Sequence, residues 1–471
     1  IDDNYKNFTY DFKQRSSVVS KHVRDYFQTF QINSKLLKQT INSTNLNYIT
    51  RKQSSPPKIF YLKTHKTGSG TLQNILNRLA FSRDLVIGFP KVFGTHFQFP
   101  TQINTDNIND VMARPPVFRN NVSRENVDII LNHMRLSQDF EKLFDDFFDR
   151  EEEKQEDRKL FKLTILRNPV DQFKSVFNWS FSRNNYFKNS GNLTNFLSSP
   201  EKFTNESISN FKNNNDEDQI FIKNNQLKHF GDNPDISKIL TTFDLIIITE
   251  YFDESLILLK FLLNLTFSDI IYLKVHLSVS RTTEEQKLEA RINSSERNNE
   301  SQDLQILKWN QLDAELYSKA NATLWYKIEN FIGLENMKMQ LYAFKKLRQR
   351  LENKCADEQE FNGRKNQKDN QLEFLMTGIK RVKSQEDYLL DHSFEVPVFK
   401  YVGSDVVVDG LSTKHKKYES AKQFKCRIFT LDELCFQKIQ IHRLHGKVIK
   451  KYDHMHQCSN EFEVFDRVDE F

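Results

Sequence analysis

The spacing of apolar residues changes character at Lys58. From 58 to 63 the run KIFYLK is nearly continuous, then THKTGSGT intervenes, and Leu72, Ile75, Leu76 and Leu79 follow at i, i+3, i+4 and i+7. That order predicts strand, Gly-containing turn and helix. The segment FKLTILRNPVDQFKSVFNWSF at 161–181 repeats the arrangement, with Pro169 placed for a first helical turn. A third run, NVDIILNHMR at 126–135, reads as a buried strand. Up to about Cys355 short β-rich runs alternate with amphipathic helical patterns, the mark of an α/β domain with a largely parallel sheet.

The flanks read differently. Residues 1–55 are polar, with scattered apolar positions, and end at Ser54-Ser55-Pro56-Pro57, so a stem is expected there and a domain over 56–355. Residues 356–471 form a C-terminal extension with mixed short strands and no interpretable motif. The charged run REEEKQEDRK at 150–159 is expected to be a solvated loop or helix end.

Composition narrows the classes. With 471 residues, 38% hydrophobic and 13% aromatic, the chain can build one large core or two modest ones. Its 68 Lys+Arg against 63 Asp+Glu leave +5, spread along the chain, which argues against nucleic acid as a partner. The same balance suits a local positive pocket for an anionic ligand. No apolar run approaches the roughly 18 residues that span a bilayer. The richest, SLILLKFLLNL at 255–265, is interrupted by Lys260 and Asn264. The first residue is Ile1, so a removed N-terminal signal or anchor is compatible with the sequence. Sequons recur from Asn7 to Asn321, among them Asn178, Asn192 and Asn264, favouring a luminal protein. Cys355, Cys426, Cys435 and Cys458 allow two disulfides in any of three pairings and show no zinc-site spacing.

The turn after KIFYLK has the makings of an anion site. Gly68 and Gly70 permit close approach to main-chain N–H groups at a helix N-terminus, while Lys63 and Lys66 add charge. A triphosphate loop places Lys after its second Gly; here Lys66 precedes both, which disfavours a kinase. Arg167 and Ser175 offer a guanidinium fork and a hydroxyl to a second phosphate. Taken singly, the loop is equally a capped Gly-rich turn, Arg167 is more often a surface ion pair, and a lone His at a strand end is usually structural. If the three strands are parallel neighbours, however, Lys66, His133 and Arg167 share the carboxyl rim where open α/β sheets bind ligands.

In order, the blocks FYLKTHKTGSGTLQNIL, ILNHMR, ILRNPVDQFKSVF, ITEYFDESLILL and WNQLDAELYSKANATLWYKIE resemble those of the galactose-3-O-sulfotransferase family, which includes galactosylceramide sulfotransferase. They cover roughly 58–355. The resemblance implies a P-loop-like fold, a central mostly parallel sheet flanked by helices, that uses 3′-phosphoadenosine 5′-phosphosulfate (PAPS) without a metal. It implies transfer of a sulfuryl group to the 3-hydroxyl of galactose on a glycolipid or glycoprotein. It also implies a type II Golgi membrane enzyme with a luminal catalytic domain, held by an N-terminal signal-anchor not contained in this sequence.

By motif, Lys63, Lys66, Thr67, Gly68, Ser69, Gly70 and Thr71 would contact the 5′-phosphosulfate, and Arg167 and Ser175 the 3′-phosphate. Asn168 stands where Asp is commoner, removing a charge but neither phosphate ligand. His65 and His133 are the acid/base candidates, His133 preferred because it leaves the sheet beside the donor loop; Lys66 would stabilise the transferring group. Glu250 and Tyr251 start a rim loop toward the sugar, Asp253 reads as a helix N-cap, and Trp309, Leu312 and Leu316 as a core face. A glycosaminoglycan acceptor and an inactive glycan-binding relative are the rival readings, and oligomeric state stays open.

Overall fold

The computed structural model describes residues 21–44, 58–83, 85–90, 95–97, 99–107, 111–113, 127–137, 160–182, 184–204, 220–273 and 296–363, with 140, 142 and 144. The strands are β1 (Lys58–Leu62), β2 (Ile87–Pro90), β3 (Gln102–Ile103), β4 (Met112–Ala113), β5 (Ile129–Ile130), β6 (Arg135–Leu136), β7 (Leu160–Leu166) and β8 (Leu245–Ile248). Six of them form one sheet in the order β4-β2-β5-β1-β7-β8, and β3 pairs with β6. Every pairing in the large sheet is parallel except the edge pair β2 and β4. All of β1 and β8 is buried, as is β7 apart from Lys162. That burial on both faces explains why these strands read as unbroken apolar runs instead of alternating ones.

The three strands are parallel neighbours, with β1 between β5 and β7. Ile59 pairs with Ile129 on one side and Phe161 on the other. The chain reaches β5 on one side of β1 and then crosses to β7 on the other, so β1 ends at a topological switch point.

Ten helices matter here: α1 (Lys21–Gln28), α2 (Ser34–Ser43), α3 (Ser69–Ser82), α4 (Pro169–Ser180), α5 (Asn225–Lys228), α6 (Ile236–Thr242), α7 (Phe252–Leu262), α8 (Glu296–Trp309), α9 (Gln311–Phe331) and α10 (Leu334–Gly363). The predicted face of α3 is buried through Leu72, Ile75, Leu76 and Leu79. Pro169 opens α4, whose N-cap Asn168 accepts from Val170 N. α9 packs across β8, and α7 lies between β8 and α10.

Several expectations are corrected. Part of the expected stem belongs to the core: Val23 and Phe27 of α1 and Leu36 and Leu37 of α2 are buried in it, and the Phe27 ring lies 5.3 Å from that of Tyr317. One or two buried residues per turn among many polar ones give too weak a signal to show this. At the other end α10 continues past 355 to Gly363. Membrane anchoring also needs correction, because no helix among the described residues is long and apolar enough to cross a bilayer. The run at 255–265 instead forms α7 and its C-terminal turn, buried on β8. Asp253 does not cap α7; it pairs with Arg348 and accepts from the Tyr272 hydroxyl at 2.8 Å. Leu316 is fully buried and Trp309 packs partly buried against the core, but Leu312 is 45% exposed. The charged run at 150–159, nearly all of the C-terminal extension and the four cysteine side chains lie outside the described residues.

Candidate active site

Beyond β1 the chain turns through Lys63 to Gly68 and enters α3. The Thr64 hydroxyl donates to Ile165 O at 2.6 Å and lies 2.8 Å from the Thr67 hydroxyl, tying the turn to β7. From the other side, Thr249 Oγ1 donates to Thr67 O at 2.6 Å. The turn itself needs two left-handed residues, Lys66 at φ +60° and Gly68 at φ +75°. The first is uncommon for a residue with a side chain and marks a conformation the surroundings enforce. Gly68 is the N-cap of α3 and brings no side chain to its first turn, so no side-chain cap covers those N–H groups. Gly68 and Gly70 are exposed, and a Cβ on Gly70 would meet nothing within 4 Å. An uncapped, accessible helix N-terminus of this kind receives anions.

The expected donor contacts divide by position. Lys66 and Thr71 are half-buried beside the two exposed glycines, whereas Lys63, Thr67 and Ser69 are buried. Thr67 uses its hydroxyl within the turn. Burial pushes the Lys63 ammonium down to about 7.

Arg167 follows β7 and its Nη1 donates to Lys66 O at 3.3 Å, so the second expected phosphate ligand touches the first loop. Its backbone N–H donates to Gln226 Oε1, while that of Asn168 donates to Glu250 Oε1 at 2.9 Å. Glu250 keeps surface exposed, yet the protein crowded around it raises its carboxyl above the ordinary range. It also accepts from the Tyr317 hydroxyl at 3.1 Å. An Asn at 168 therefore caps α4 without setting a second carboxylate beside Glu250. Ser175 is half-buried two turns into α4, and Tyr251 is buried against Trp325.

Sequence motifs marked two histidines; the fold assembles four. Segment 95–97 runs beside His133, with Phe97 N donating to His133 O at 2.8 Å and His133 N to Thr95 O at 3.0 Å, which brings in His96. His229 arrives at the C-terminus of the short helix α5. His65 Nδ1 lies 3.0 Å from His229 Nε2, and His65 Nε2 lies 3.1 Å from His96 Nε2. The rings of His65 and His133 stack at 3.9 Å and 11°. Phe99, Phe221 and Trp179 ring the group, with centroids 4.8, 5.0 and 6.2 Å from His65. Burial first, and then the neighbouring cations and imidazoles, holds His65 and His133 well below the ordinary range. His96 is lowered to about 4, and so is His229 despite the carbonyl it faces. All four are neutral near pH 7. No local motif could have indicated His96 or His229, because backbone pairing and a distant helix bring them in.

His65, His96 and His133 have ligand atoms within 4.8 Å of one another, a spacing compatible with a metal ion. Ring orientation opposes one. Imidazole lone pairs lie in the ring plane, so the stacked His65 and His133 rings hold theirs in separate, nearly parallel planes. Lys63, close enough to depress all three imidazoles, would also repel a cation when it carries its proton.

Residues 17–378 match the family model described as galactose-3-O-sulfotransferase. Among similar proteins, galactose-3-O-sulfotransferase 2 of Mus musculus is 29% identical over 293 residues, 59% of this chain and 65% of its own length. Galactosylceramide sulfotransferase of Homo sapiens is 29% identical over 319 residues, 64% of each chain. The chain thus spans less than two thirds of the length of either relative. No solved structure matches it at a significant level. The family model covers most of the chain, including the loop between β1 and α3, the HMR and RNP segments and α1 within the expected stem, and the chain belongs to the galactose-3-O-sulfotransferase family.

Proposed function

We propose that the protein transfers a sulfuryl group from PAPS to the 3-hydroxyl of a galactose residue on a glycolipid or glycoprotein, in the Golgi lumen. The observation that carries this reading is the uncapped N-terminus of α3 with Lys66 at the tip of its loop and Arg167 bonded to that same loop, directly beside an imidazole cluster. The residues fit the donor: exposed Gly68 and Gly70 leave main-chain N–H groups for the phosphosulfate, while Arg167 and Ser175 are the groups for the 3′-phosphate.

As the galactose oxygen bonds to sulfur, the bond from sulfur to the 5′-phosphate oxygen breaks and its electron pair stays on that oxygen. Charge on the peripheral oxygens is stabilised by Lys66 and the α3 N–H groups, so positioned cationic and dipolar groups lower the barrier. The hydroxyl proton passes to His133 Nε2, a neutral imidazole suited to general-base work. Trp179 is 37% exposed, packs edge-on to Phe221 at 5.4 Å and lies 5.6 Å from Lys66 Nζ. We assign its ring as the platform for the apolar face of the acceptor sugar.

The test is incubation with labelled PAPS and a panel of galactose-terminated glycolipids and oligosaccharides, followed by linkage analysis. Label on galactose O3 is expected. Label confined to glycosaminoglycans, or PAP binding without transfer to any acceptor, would overturn the assignment.

A further inference from the structure

The imidazole cluster contains its own tautomer assignment. A carbonyl oxygen only accepts hydrogen bonds. His229 Nδ1 lies 2.9 Å from Met134 O and must carry a proton there, which leaves Nε2 with a lone pair. His65 Nδ1, 3.0 Å from that Nε2, must then be protonated, leaving His65 Nε2 as an acceptor. His96 Nε2, 3.1 Å away, must donate to it. His96 Nδ1 is left to accept from the Thr95 hydroxyl at 2.7 Å. Reversing any one link sets two N–H groups or two lone pairs face to face. His133 is fixed separately, its Nδ1 donating to Lys63 O at 3.0 Å. Among the described residues no donor reaches His133 Nε2.

We propose that His96 and His229 are positioning residues that hold His65 in its Nδ1–H tautomer with both nitrogens engaged, leaving His133 Nε2 as the imidazole lone pair available to the acceptor hydroxyl. This rests on the sulfuryl-transfer reading given above. The chain of bonds runs from Thr95 at the rim to Met134 inside, and each imidazole in it is neutral. His65 then supports His133 by stacking beneath it and does not itself accept a proton. Removing His96, the most accessible of the three chain members, would uncover the lone pair on His65 Nε2 and give the site a second base.

The test has two independent arms. In the first, the protein labelled with ¹⁵N-histidine and free of donor and acceptor is examined by NMR, with each resonance assigned by substitution. His65, His133 and His229 are expected as Nδ1–H tautomers and His96 as Nε2–H. An Nε2–H tautomer at His65 overturns the proposal, as does an equimolar Zn²⁺ addition that shifts His65, His96 and His133 together as metal ligands. The second arm measures turnover. His133→Ala is expected to lose ~10²-fold or more, and His133→Ala with His96→Ala to recover ~10-fold of it through His65, on the scale of a partly effective general base. A double variant no faster than the single one overturns the proposal. His229→Gln keeps an acceptor for His65 and should hold the His65 tautomer, whereas His229→Phe should release it; indistinguishable ¹⁵N shifts at His65 in the two also count against it. Should the tautomers be as assigned and no galactoside be sulfated by the wild-type protein, the functional reading fails and the tautomer chain stands.

Discussion

Gln226 holds the backbone of Arg167 on both sides, accepting its N–H at Oε1 over 2.8 Å and donating from Nε2 to its carbonyl at 2.9 Å. The grip is itself anchored. Asp313 of α9 accepts from Gln226 N at 3.1 Å and Leu227 N at 2.8 Å, so a line of hydrogen bonds runs from α9 through α5 to the end of β7. Replacing Gln226 by Met would keep the volume but strip both partners from Arg167. Leaving such groups unpaired costs ~1–3 kcal/mol. Urea unfolding of Gln226→Met should show a loss of that order, and calorimetry a weaker affinity for PAP; unchanged PAP binding would mean that the grip does not position Arg167.

Arg167→Ala removes the guanidinium and leaves the grip in place. A hydrogen bond to a charged group contributes ~1.5–3 kcal/mol, so PAP affinity should fall by ~10- to 100-fold. The PAPS KM should rise with it while turnover at saturation changes less, because the 3′-phosphate is remote from the transferred sulfur. PAP affinity within experimental error of wild type would exclude Arg167 from the donor site.

For Lys66 the expected pattern is the opposite. It is half-buried, and Ala would have to adopt the same left-handed backbone, so Lys66→Ala should unfold at nearly the wild-type temperature. Loss of one charge-stabilising donor should lower kcat by ~10²- to 10³-fold. Near-normal turnover would move the catalytic charge elsewhere.

How much of this could be read from the sequence depended on where each signal sits. Strand, turn and helix around Gly68 and around Pro169 were legible, because a strand covered on both faces is an unbroken apolar run and the helix after it has a strict period. That β5, β1 and β7 are neighbours followed only once pairing was known. His96 and His229 stand 31 and 164 residues from His65, and nothing local distinguishes them from other histidines. Gln226 was silent for the same reason. Asp253 was misread because a short acidic residue before an apolar run fits a cap as well as it fits the ion pair with Arg348 that it makes. Leu312 was placed in the core by helical period, but it lies in the first turn of α9, where its side is open.

Trp179→Ala should raise the KM for a galactoside acceptor severalfold with little change in PAP affinity, and Trp179→Phe should restore part of it, since either ring offers an apolar face. The exposed ring contributes little to the core, so thermal unfolding serves as the control. Should acceptor KM stay constant while PAP affinity drops, Trp179 belongs to the nucleotide and not to the sugar.

Burial lowers the Lys63 ammonium to about 7. In the unfolded chain a lysine keeps its proton to about 10.4. Between these values the unfolded state binds more protons, so Lys63 makes stability rise with pH across that window; below about 7 both states are charged and the full cost of burying the cation is felt. Lys63→Met should therefore be more stable than wild type at pH 6, with the difference shrinking as pH rises through the window. An anion arriving at the α3 N-terminus favours the charged form and raises this pKa. PAP binding should consequently take up a fraction of a proton, at most one, near pH 8 and almost none near pH 5.5, where Lys63 is already charged. Calorimetry in two buffers of different ionisation enthalpy measures the uptake directly. Lys63→Met should abolish it, and that control separates Lys63 from any histidine that gains a proton on binding. If wild-type enthalpies at pH 8 do not depend on the buffer, or the dependence survives in Lys63→Met, then Lys63 does not face the bound anion and the donor loop ends at Lys66.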